Sequence, residues 1–145
     1  MADMSVDLVI LGGGSGGYAC ALRAAELGMS VVLIEKDKVG GTCLHRGCIP
    51  TKALLHAGEI ADAARDSEQF GVRATLEGID MTKVASYKDG VVGKMFRGLT
   101  GLIKGRGIQI VEGEGRLVSA TAVRVGDDTY TGGHLVLAKI GRAHV

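Results

Sequence analysis

Two cysteines stand close together in a segment that is rich in glycine and basic side chains. Cys43 and Cys48 lie within residues 40–52, which read GGTCLHRGCIPTK. A glycine-rich loop at residues 12–17 precedes them, and loops of this kind bind the phosphates of dinucleotides. A thiol pair on the same chain as such a loop indicates electron transfer between a disulfide and a bound cofactor.

The glycine-rich loop satisfies the pattern G-x-G-x-x-G, with Gly12, Gly14 and Gly17 at its three glycine positions. This pattern gives a tight turn, lets backbone N–H groups approach a pyrophosphate and packs a helix closely on a strand. Glu35 follows by the roughly 20 residues that dinucleotide folds use, where a carboxylate can accept hydrogen bonds from a ribose diol. No Gly-Lys-Ser or Gly-Lys-Thr follows the glycines, so the sequence does not support triphosphate hydrolysis in a P-loop.

The elements around this loop predict a βαβ unit. Residues 6–11 are almost wholly apolar, as expected of a strand that is buried on both faces of a parallel sheet. Residues 18–27 are good helix formers, and Gly28 supplies the left-handed residue that commonly ends a helix. A second apolar strand at residues 31–34 completes the unit.

The rest of the chain predicts two helices and several short strands. A helix over residues 45–65 is interrupted at Pro50, a polar connection covers 70–79, and helical spacing of apolar residues returns over 84–102. Short strands are predicted at 108–111, 116–118, 123–125, 129–131 and 134–138, with a turn at 126–128. The predicted fold class is α/β: a Rossmann-like parallel sheet with a small β-meander.

Length and composition limit the possible functions. The chain has 145 residues, is 46% hydrophobic and carries a net charge of +1, which indicates neither nucleic acid nor an anionic membrane as a partner. No apolar stretch reaches the roughly 20 residues of a membrane span, and no secretory signal is present, so we expect a cytoplasmic protein. In that reducing compartment a close cysteine pair is more often catalytic, redox-sensing or metal-binding than a structural crosslink. Cys20, within a helical segment, is expected to be a small buried hydrophobe.

The sequence leaves open whether Cys43 and Cys48 form a disulfide. In a regular helix, residues five apart have Cα atoms about 8.6 Å apart, beyond the roughly 7 Å reach of a disulfide. Gly47 and Pro50 both favour an irregular first turn that brings the two cysteines together.

A zinc site is the main alternative for these side chains. Cys43, His45, Cys48 and His56 supply the ligand types that zinc prefers. However, the two cysteines are separated by four residues where zinc motifs commonly have two, and a zinc site leaves the glycine-rich loop unexplained. We therefore predict no metal site.

Residues 40–56 resemble the flavin-dependent pyridine nucleotide-disulfide oxidoreductases. The stretch LHRGCIPTKALLH at residues 44–56 is most similar to the dihydrolipoamide (dihydrolipoyl) dehydrogenase branch, and the resemblance extends over residues 6–138. It implies that the first dinucleotide is FAD and that the parent protein converts dihydrolipoamide and NAD⁺ to lipoamide and NADH. The implied partners are a second copy of the chain and the lipoyl-bearing acyltransferase of 2-oxoacid dehydrogenase complexes.

The resemblance also implies roles for individual residues. Cys43 corresponds to the thiol that exchanges with the substrate, and Cys48 to the thiolate held against the flavin. Lys52 is expected near the flavin ring, where its charge favours that thiolate. The implied FAD-binding residues are Gly12, Gly14, Gly17, Glu35, Lys36, Gly41, Thr42, Lys52 and Gly115.

Other functions stay open at this point. Glutathione reductases and mercuric reductases share the glycine and cysteine motifs, and only Ile49 and residues 52–56 favour the dihydrolipoamide branch. A non-catalytic flavin or thiol redox module is also compatible with the same residues. A third possibility is an unstable product without function, because half of such a domain leaves a sheet edge exposed.

The chain is too short for a whole member of this family. Family members also have an NAD-binding domain, the remainder of the FAD domain and a dimerisation domain, so we expect residues 1–138 to be the N-terminal part of the FAD-binding domain, inactive alone. After Ala138 the family has Thr-Gly-Ser, whereas this chain reads KIGRAHV. We expect residues 139–145 to be a non-native tail, because the codons ATC GGA AGA GCA CAC GTC for residues 140–145 match a sequencing adapter.

Overall fold

The computed structural model describes residues 3–139, so most of the predicted non-native tail lies outside the described residues. The described chain divides into two compact units. Residues 3–41 and 96–139 form the first, which we call the sheet unit. Residues 42–95 form the second, which we call the helical unit.

The elements follow one another as strands, then helices, then strands. The chain begins with β1 (Asp3–Leu11), α1 (Ser15–Glu26) and β2 (Val31–Glu35). The helices α2 (Gly41–Arg46) and α3 (Cys48–Arg65), a 3₁₀ turn (Ser67–Phe70) and α4 (Met81–Gly105) follow, and the division between the units falls within α4. The last strands are β3 (Gln109–Glu112), β4 (Gly115–Leu117), β5 (Ala122–Val125) and β6 (Asp128–Leu137).

One six-stranded sheet with the order β3-β2-β1-β6-β5-β4 organises the sheet unit. The strands β3, β2, β1 and β6 run parallel, whereas β5 is antiparallel to both β6 and β4. This arrangement confirms the predicted α/β fold with a parallel sheet, a βαβ unit and a β-meander.

The outer edge of β6 is only partly paired. β5 pairs with residues 128–131 of β6, and the Gly132 N–H donates to the Thr121 carbonyl at 2.8 Å. Beyond that point, no strand of the described residues pairs with β6 on the side away from β1. The upper edge of β6, residues 133–137, therefore has backbone groups that no strand within residues 3–139 pairs.

Each face of the sheet has its own hydrophobic cluster, because successive residues of a strand point to opposite faces. On one face Leu8, Ile10 and Leu33 pack with Ala21 of α1 and Ile103 of α4. On the other face the cluster contains Val9, Leu11, Val32, Ile34 and Val123. Residues 8–11 of β1 and 31–34 of β2 are thus buried on both faces, as their apolar sequences predict, whereas residues 3–7 of β1 are exposed or half-buried.

Small residues let α1 lie close to the sheet. Gly17, Ala21 and Ala24 are its buried residues, and their spacing places them on one helix face. Gly28 has φ +81° just after the helix, as predicted for a residue that ends it. Cys20 is half-buried and packs against the first cluster, so it behaves as a small hydrophobe but is less buried than predicted.

Two sequence predictions about element boundaries are wrong. The helical segment is interrupted at Gly47 and not at Pro50, because Pro50 lies in the first turn of α3, where helix N–H groups have no intrahelical acceptor. The strands predicted at 129–131 and 134–138 are one strand, β6. Its glycines do not form a turn: the backbone of β1 approaches so closely that a Cβ on Gly132 would lie 3.0 Å from the Val9 nitrogen.

α4 is longer than its apolar spacing predicts, and its start has a local cause. The Asp80 carboxylate accepts hydrogen bonds from the N–H groups of Thr82 and Lys83, at 3.0 and 3.1 Å. This cap satisfies donors that the first turn otherwise leaves unpaired. Over residues 3–139, no helix combines the length and the apolar character that crossing a membrane requires.

Candidate functional site

The glycine-rich loop between β1 and α1 makes a turn that needs glycine at its first position. Gly12 has φ +111°, and its N–H donates to the Ile34 carbonyl at 2.8 Å, which continues the pairing of β1 with β2. A Cβ at this position would lie 2.5 Å from the Ala138 carbonyl oxygen. A Cβ on Gly17 would in turn collide with the Gly12 carbonyl oxygen. The protein's own packing therefore explains these two glycines.

Gly14 is different, because the packing of the chain does not require a glycine there. It precedes α1 with φ −69°, and a Cβ on it would meet no atom within 4 Å. The first turn of α1 contains no acidic residue and has no side-chain cap. Its unpaired N–H groups and partial positive charge make this helix end an anion-binding position. A dinucleotide pyrophosphate fits this bare, uncapped end.

The Glu35 carboxylate lies at the same end of the sheet and bonds to two backbone N–H groups. Its Oε2 accepts from Gly13 at 2.7 Å, and its Oε1 accepts from Asp37 at 3.1 Å. Each carboxylate oxygen can accept a further hydrogen bond, so a ribose diol can still bind here. The adjacent Lys36 is exposed.

A second pair of glycines lies against the loop. The Gly40 N–H donates to the Gly13 carbonyl at 2.8 Å. Gly41 has φ +60°, and a Cβ on it would lie 2.8 Å from Gly14 Cα. The sheet unit therefore brings Gly41 onto the glycine-rich loop, and its expected contact with FAD stays a prediction.

Gly115 has an explanation of its own in the packing of the sheet. It lies on β4, and a Cβ on it would be 2.6 Å from Leu11 Cδ1 and 2.8 Å from Val123 Cγ1. Nearby, the Gly113 N–H donates to the Glu35 carbonyl at 3.0 Å, which holds the turn between β3 and β4 at the end of β2. The core alone accounts for glycine at position 115, and its expected contact with the cofactor stays a prediction.

In the helical unit, a disulfide joins Cys43 and Cys48, with Cα atoms 4.7 Å apart. α2 ends at Arg46 and α3 begins at Cys48, so the two sulfurs meet across the break at Gly47. A Cβ on Gly47 would lie only 3.1 Å from the Thr42 carbonyl oxygen, so a side chain there would crowd the break. The bridge that the sequence left open is present.

The two cysteines have different surroundings. Cys43 is half-buried within α2, whereas Cys48 is exposed and is the first residue of α3. The first turn of this 18-residue helix has no acidic residue and no side-chain cap. A helix N-terminus stabilises negative charge, so reduction leaves Cys48 as the more favourable thiolate. The exposed Lys52 lies four residues further on, hence on the same face of α3.

The residues of the zinc alternative do not form a cluster. Cys43 and Cys48 bond to each other, and His56 Nδ1 lies 3.2 Å from Glu59 Oε2 on an exposed surface. From residue 3 to residue 139, no group of three or more His, Cys, Asp and Glu side chains is arranged to hold a metal ion.

The sequence pattern missed the way in which Gly13 and Gly40 hold the loop. Gly13 occupies a variable position of G-x-G-x-x-G, yet its N–H bonds to Glu35 and its carbonyl accepts from Gly40. The sequence signal for this contact is the doubled glycine at residues 40–41. That signal can be interpreted only when β1 and β2 are known to be neighbours in the sheet.

Comparison with known proteins agrees with these features. The family model described as pyridine nucleotide-disulphide oxidoreductase matches residues 6–143. A dihydrolipoyl dehydrogenase of Bacillus subtilis is 41% identical over 139 residues, which are 93% of this chain and 30% of the relative. The enzyme of Thermus scotoductus is 41% identical over 132 residues, 91% of this chain and 28% of the relative. Dihydrolipoyl dehydrogenase 2 of Haloarcula marismortui is 45% identical over 119 residues, 82% of this chain and 25% of the relative. The chain spans 25% to 30% of the length of these relatives.

Proposed function

This chain belongs to the pyridine nucleotide-disulphide oxidoreductase family, and from that premise we propose that it is the N-terminal, FAD-binding part of a dihydrolipoyl dehydrogenase. The parent protein would oxidise dihydrolipoamide with NAD⁺ through the Cys43–Cys48 disulfide. The observation that carries the proposal is this disulfide, placed at the break between α2 and α3 with one sulfur at a helix N-terminus. The relatives with 41% to 45% identity support the choice of substrate.

The cofactor contacts that we propose follow from the sheet unit. The unpaired N–H groups after Gly14 would receive the FAD pyrophosphate, and Glu35 would receive the adenosine ribose. Lys36, Gly41, Thr42, Lys52 and Gly115 are the further contacts that the family resemblance implies. When bound, FAD supplies a two-electron acceptor for the reduced cysteines and a donor for NAD⁺.

The cysteines would exchange with the substrate in two steps. A thiolate of dihydrolipoamide attacks Cys43 Sγ, the Cys43–Cys48 bond breaks, and Cys48 leaves as a thiolate that the α3 N-terminus stabilises. In the mixed disulfide, one substrate sulfur is bonded to Cys43. The second substrate thiolate then attacks that substrate sulfur and displaces Cys43. The substrate becomes the cyclic disulfide lipoamide, and two electrons pass to the cysteine pair. Of the two protons that the dithiol loses, one remains on Cys43 and one goes to solvent.

A substrate comparison on the whole protein tests this proposal. The gene that contains this sequence is expressed in full, and NADH-dependent reduction of lipoamide, glutathione disulfide and Hg²⁺ is measured. We expect turnover with lipoamide and its complete loss in Cys48→Ser. Turnover with glutathione disulfide or Hg²⁺ instead would assign the protein to another branch. FAD binding without any turnover would leave the non-catalytic redox module.

A second experiment tests the proposed FAD site in this chain. Gly14→Ala adds a methyl group that meets no protein atom within 4 Å, so we expect its unfolding midpoint to stay near that of the unsubstituted chain. We expect its affinity for FAD to fall strongly, because the methyl group would occupy the position of the pyrophosphate. Gly98→Ala, on α4, also points into open space and serves as the matched control that leaves FAD binding unchanged. Equal FAD affinity in both variants would remove the pyrophosphate from this helix end.

We also propose partners for the whole protein. The relatives are named as dihydrolipoyl dehydrogenases, and the family resemblance implies a homodimer that serves the lipoyl-bearing acyltransferase of 2-oxoacid dehydrogenase complexes. Co-purification of the full-length protein with that acyltransferase, and its mass in solution, test both statements.

A further inference from the structure

Glu35 connects three loops of the sheet unit. Its side chain accepts the Gly13 N–H of the glycine-rich loop at 2.7 Å and the Asp37 N–H after β2 at 3.1 Å. Its carbonyl accepts the Gly113 N–H, in the turn between β3 and β4, at 3.0 Å. All three bonds join protein atoms only, and together they tie the glycine-rich loop, the residues after β2 and the β3–β4 turn to one residue.

The bond to Gly13 fixes the loop at a decisive position. Gly13 stands directly before Gly14, the residue from which the donors of α1 begin. A Cβ on Gly13 would lie 3.0 Å from Glu35 Cβ, so the loop backbone rests on the stem of this side chain as well as on its carboxylate. Hydrogen bonds to a charged acceptor are about twice as strong as neutral ones, so this contact is a strong restraint on the loop.

We infer that Glu35 is a positioning residue that holds the glycine-rich loop in its cofactor-binding conformation before the cofactor arrives. This role adds to the ribose contact proposed above and rests on that proposal for the identity of the ligand. The two roles are compatible, because a carboxylate has about four acceptor sites and the two backbone N–H groups use two of them. A loop that is already ordered loses less conformational freedom when it binds.

An amide substitution separates this role from others. Glu35→Gln keeps the size of the side chain but replaces one acceptor oxygen by an NH₂ donor. The neutral amide can then accept from only one of the Gly13 and Asp37 N–H groups, and it accepts more weakly than a carboxylate. Glu112→Gln is the matched control: Glu112 lies opposite Glu35 in the β2–β3 pair, carries the same charge and is exposed. Glu35→Asp, which keeps the charge on a shorter stem, is a second variant with the same expected direction.

Amide hydrogen exchange in the ligand-free protein is the first readout. We expect the Gly13 N–H to be protected from exchange in the unsubstituted protein and in Glu112→Gln. In Glu35→Gln we expect it to exchange at least tenfold faster. The Gly12 N–H, which donates to the Ile34 carbonyl, should stay protected in all variants and reports that the sheet is intact. An unprotected Gly13 N–H in the unsubstituted protein, or unchanged exchange in both Glu35 variants, overturns the inference.

Binding of ADP and of 2′,3′-dideoxy-ADP is the second readout, because the analogue lacks the ribose diol. A positioning role predicts that Glu35→Gln weakens both ligands, the analogue by roughly tenfold. A role through the ribose alone predicts that the variant weakens ADP only, and this result overturns the inference. If neither ligand binds the unsubstituted protein, the proposed FAD site is wrong. The exchange measurement then still decides whether Glu35 holds the loop.

Discussion

The glycine-rich loop and the cysteine segment both depend on glycine, but they use it in different ways. In the loop, Gly12 and Gly17 are required by neighbouring backbone atoms that leave no room for a Cβ. In the cysteine segment, Gly47 ends one helix and starts another, which lets two sulfurs meet. The first region is therefore built by packing and the second by a local break in the backbone.

The surroundings of the two regions differ in the same sense. The sheet unit contains fully buried large side chains such as Ile10, Leu33 and Ile103. Among residues 42–95, the buried side chains are Leu44, Ala53, Ala61 and Ser67. Substitutions at Gly12 and Gly17 should therefore cost stability, whereas substitutions at the cysteines should mainly cost chemistry.

The strongest test of this contrast removes one sulfur. Cys48→Ser should abolish thiol–disulfide exchange completely while lowering the free energy of unfolding by only about 2 kcal/mol, because the disulfide closes a short loop. Thiol titration and denaturant unfolding measure the two effects. Cys20→Ser is the control, since Cys20 is not part of the disulfide. Global unfolding of Cys48→Ser would show that the disulfide holds the helical unit together.

A methyl group at the close contact of α1 should have the next largest effect. Gly17→Ala places a Cβ against the Gly12 carbonyl oxygen, and we expect a loss of about 3 kcal/mol in the free energy of unfolding. Gly16→Ala changes the neighbouring residue, where a Cβ meets no atom within 4 Å, and should be nearly neutral. Urea unfolding of both variants measures the difference, and equal values would contradict a loop built by packing.

A matched pair of isoleucines compares the two units directly. Ile103→Val removes one methylene from a side chain that is 0% exposed and should cost about 1 kcal/mol. Ile60→Val removes the same group from a side chain that is 60% exposed, and should change stability by less than about 0.5 kcal/mol. Denaturant midpoints determine both values. A larger cost at Ile60 would show that α3 is buried in solution.

The smallest expected effect concerns acid. The Ser30 hydroxyl, and then the Ser30 N–H, donate to Asp7 and hold its pKa below the ordinary value of 3.8. A carboxyl with a lowered pKa in the folded state adds stability above its unfolded pKa, and loses that contribution as pH falls through the folded pKa. We therefore expect the melting temperature to fall as pH drops from about 5 to below the ordinary carboxyl pKa, and to fall less in Asp7→Asn. The same slope in both proteins would assign the acid sensitivity to other carboxyls.

Much of the sheet unit was predictable because its signals are local. The apolar run before Gly12 predicts β1, and the left-handed Gly28 predicts the end of α1. The pattern G-x-G-x-x-G predicts Gly12, Gly14 and Gly17 as candidate site residues. The contact of Gly12 with Ala138 is distant along the chain, whereas the contact of Gly17 with the Gly12 carbonyl lies within six residues. The prediction that Gly47 favours an irregular turn is confirmed for the same reason.

What the sequence did not reveal depends on residues that are distant along the chain. The bond between Gly13 and Glu35 joins positions 22 residues apart and exists only because β1 and β2 are neighbours. β6 was predicted as two strands, at 129–131 and 134–138, whereas pairing with β1 keeps the intervening glycines extended in one strand. The interruption assigned to Pro50 was wrong because its place in the helix, and not its residue type, decides the effect.

The upper edge of β6, which no strand of the described part of the chain pairs, has a practical consequence for experiments on this chain. The Ala138 N–H donates to the Leu11 carbonyl, so by alternation Leu135 and Leu137 direct their backbone groups away from β1. Leu137 is also 56% exposed, and residues 133–137 contain none of the lysines or prolines that discourage edge-to-edge pairing. We expect the isolated chain to self-associate into oligomers as its concentration rises, so cofactor titrations belong in dilute solution with the particle size monitored throughout.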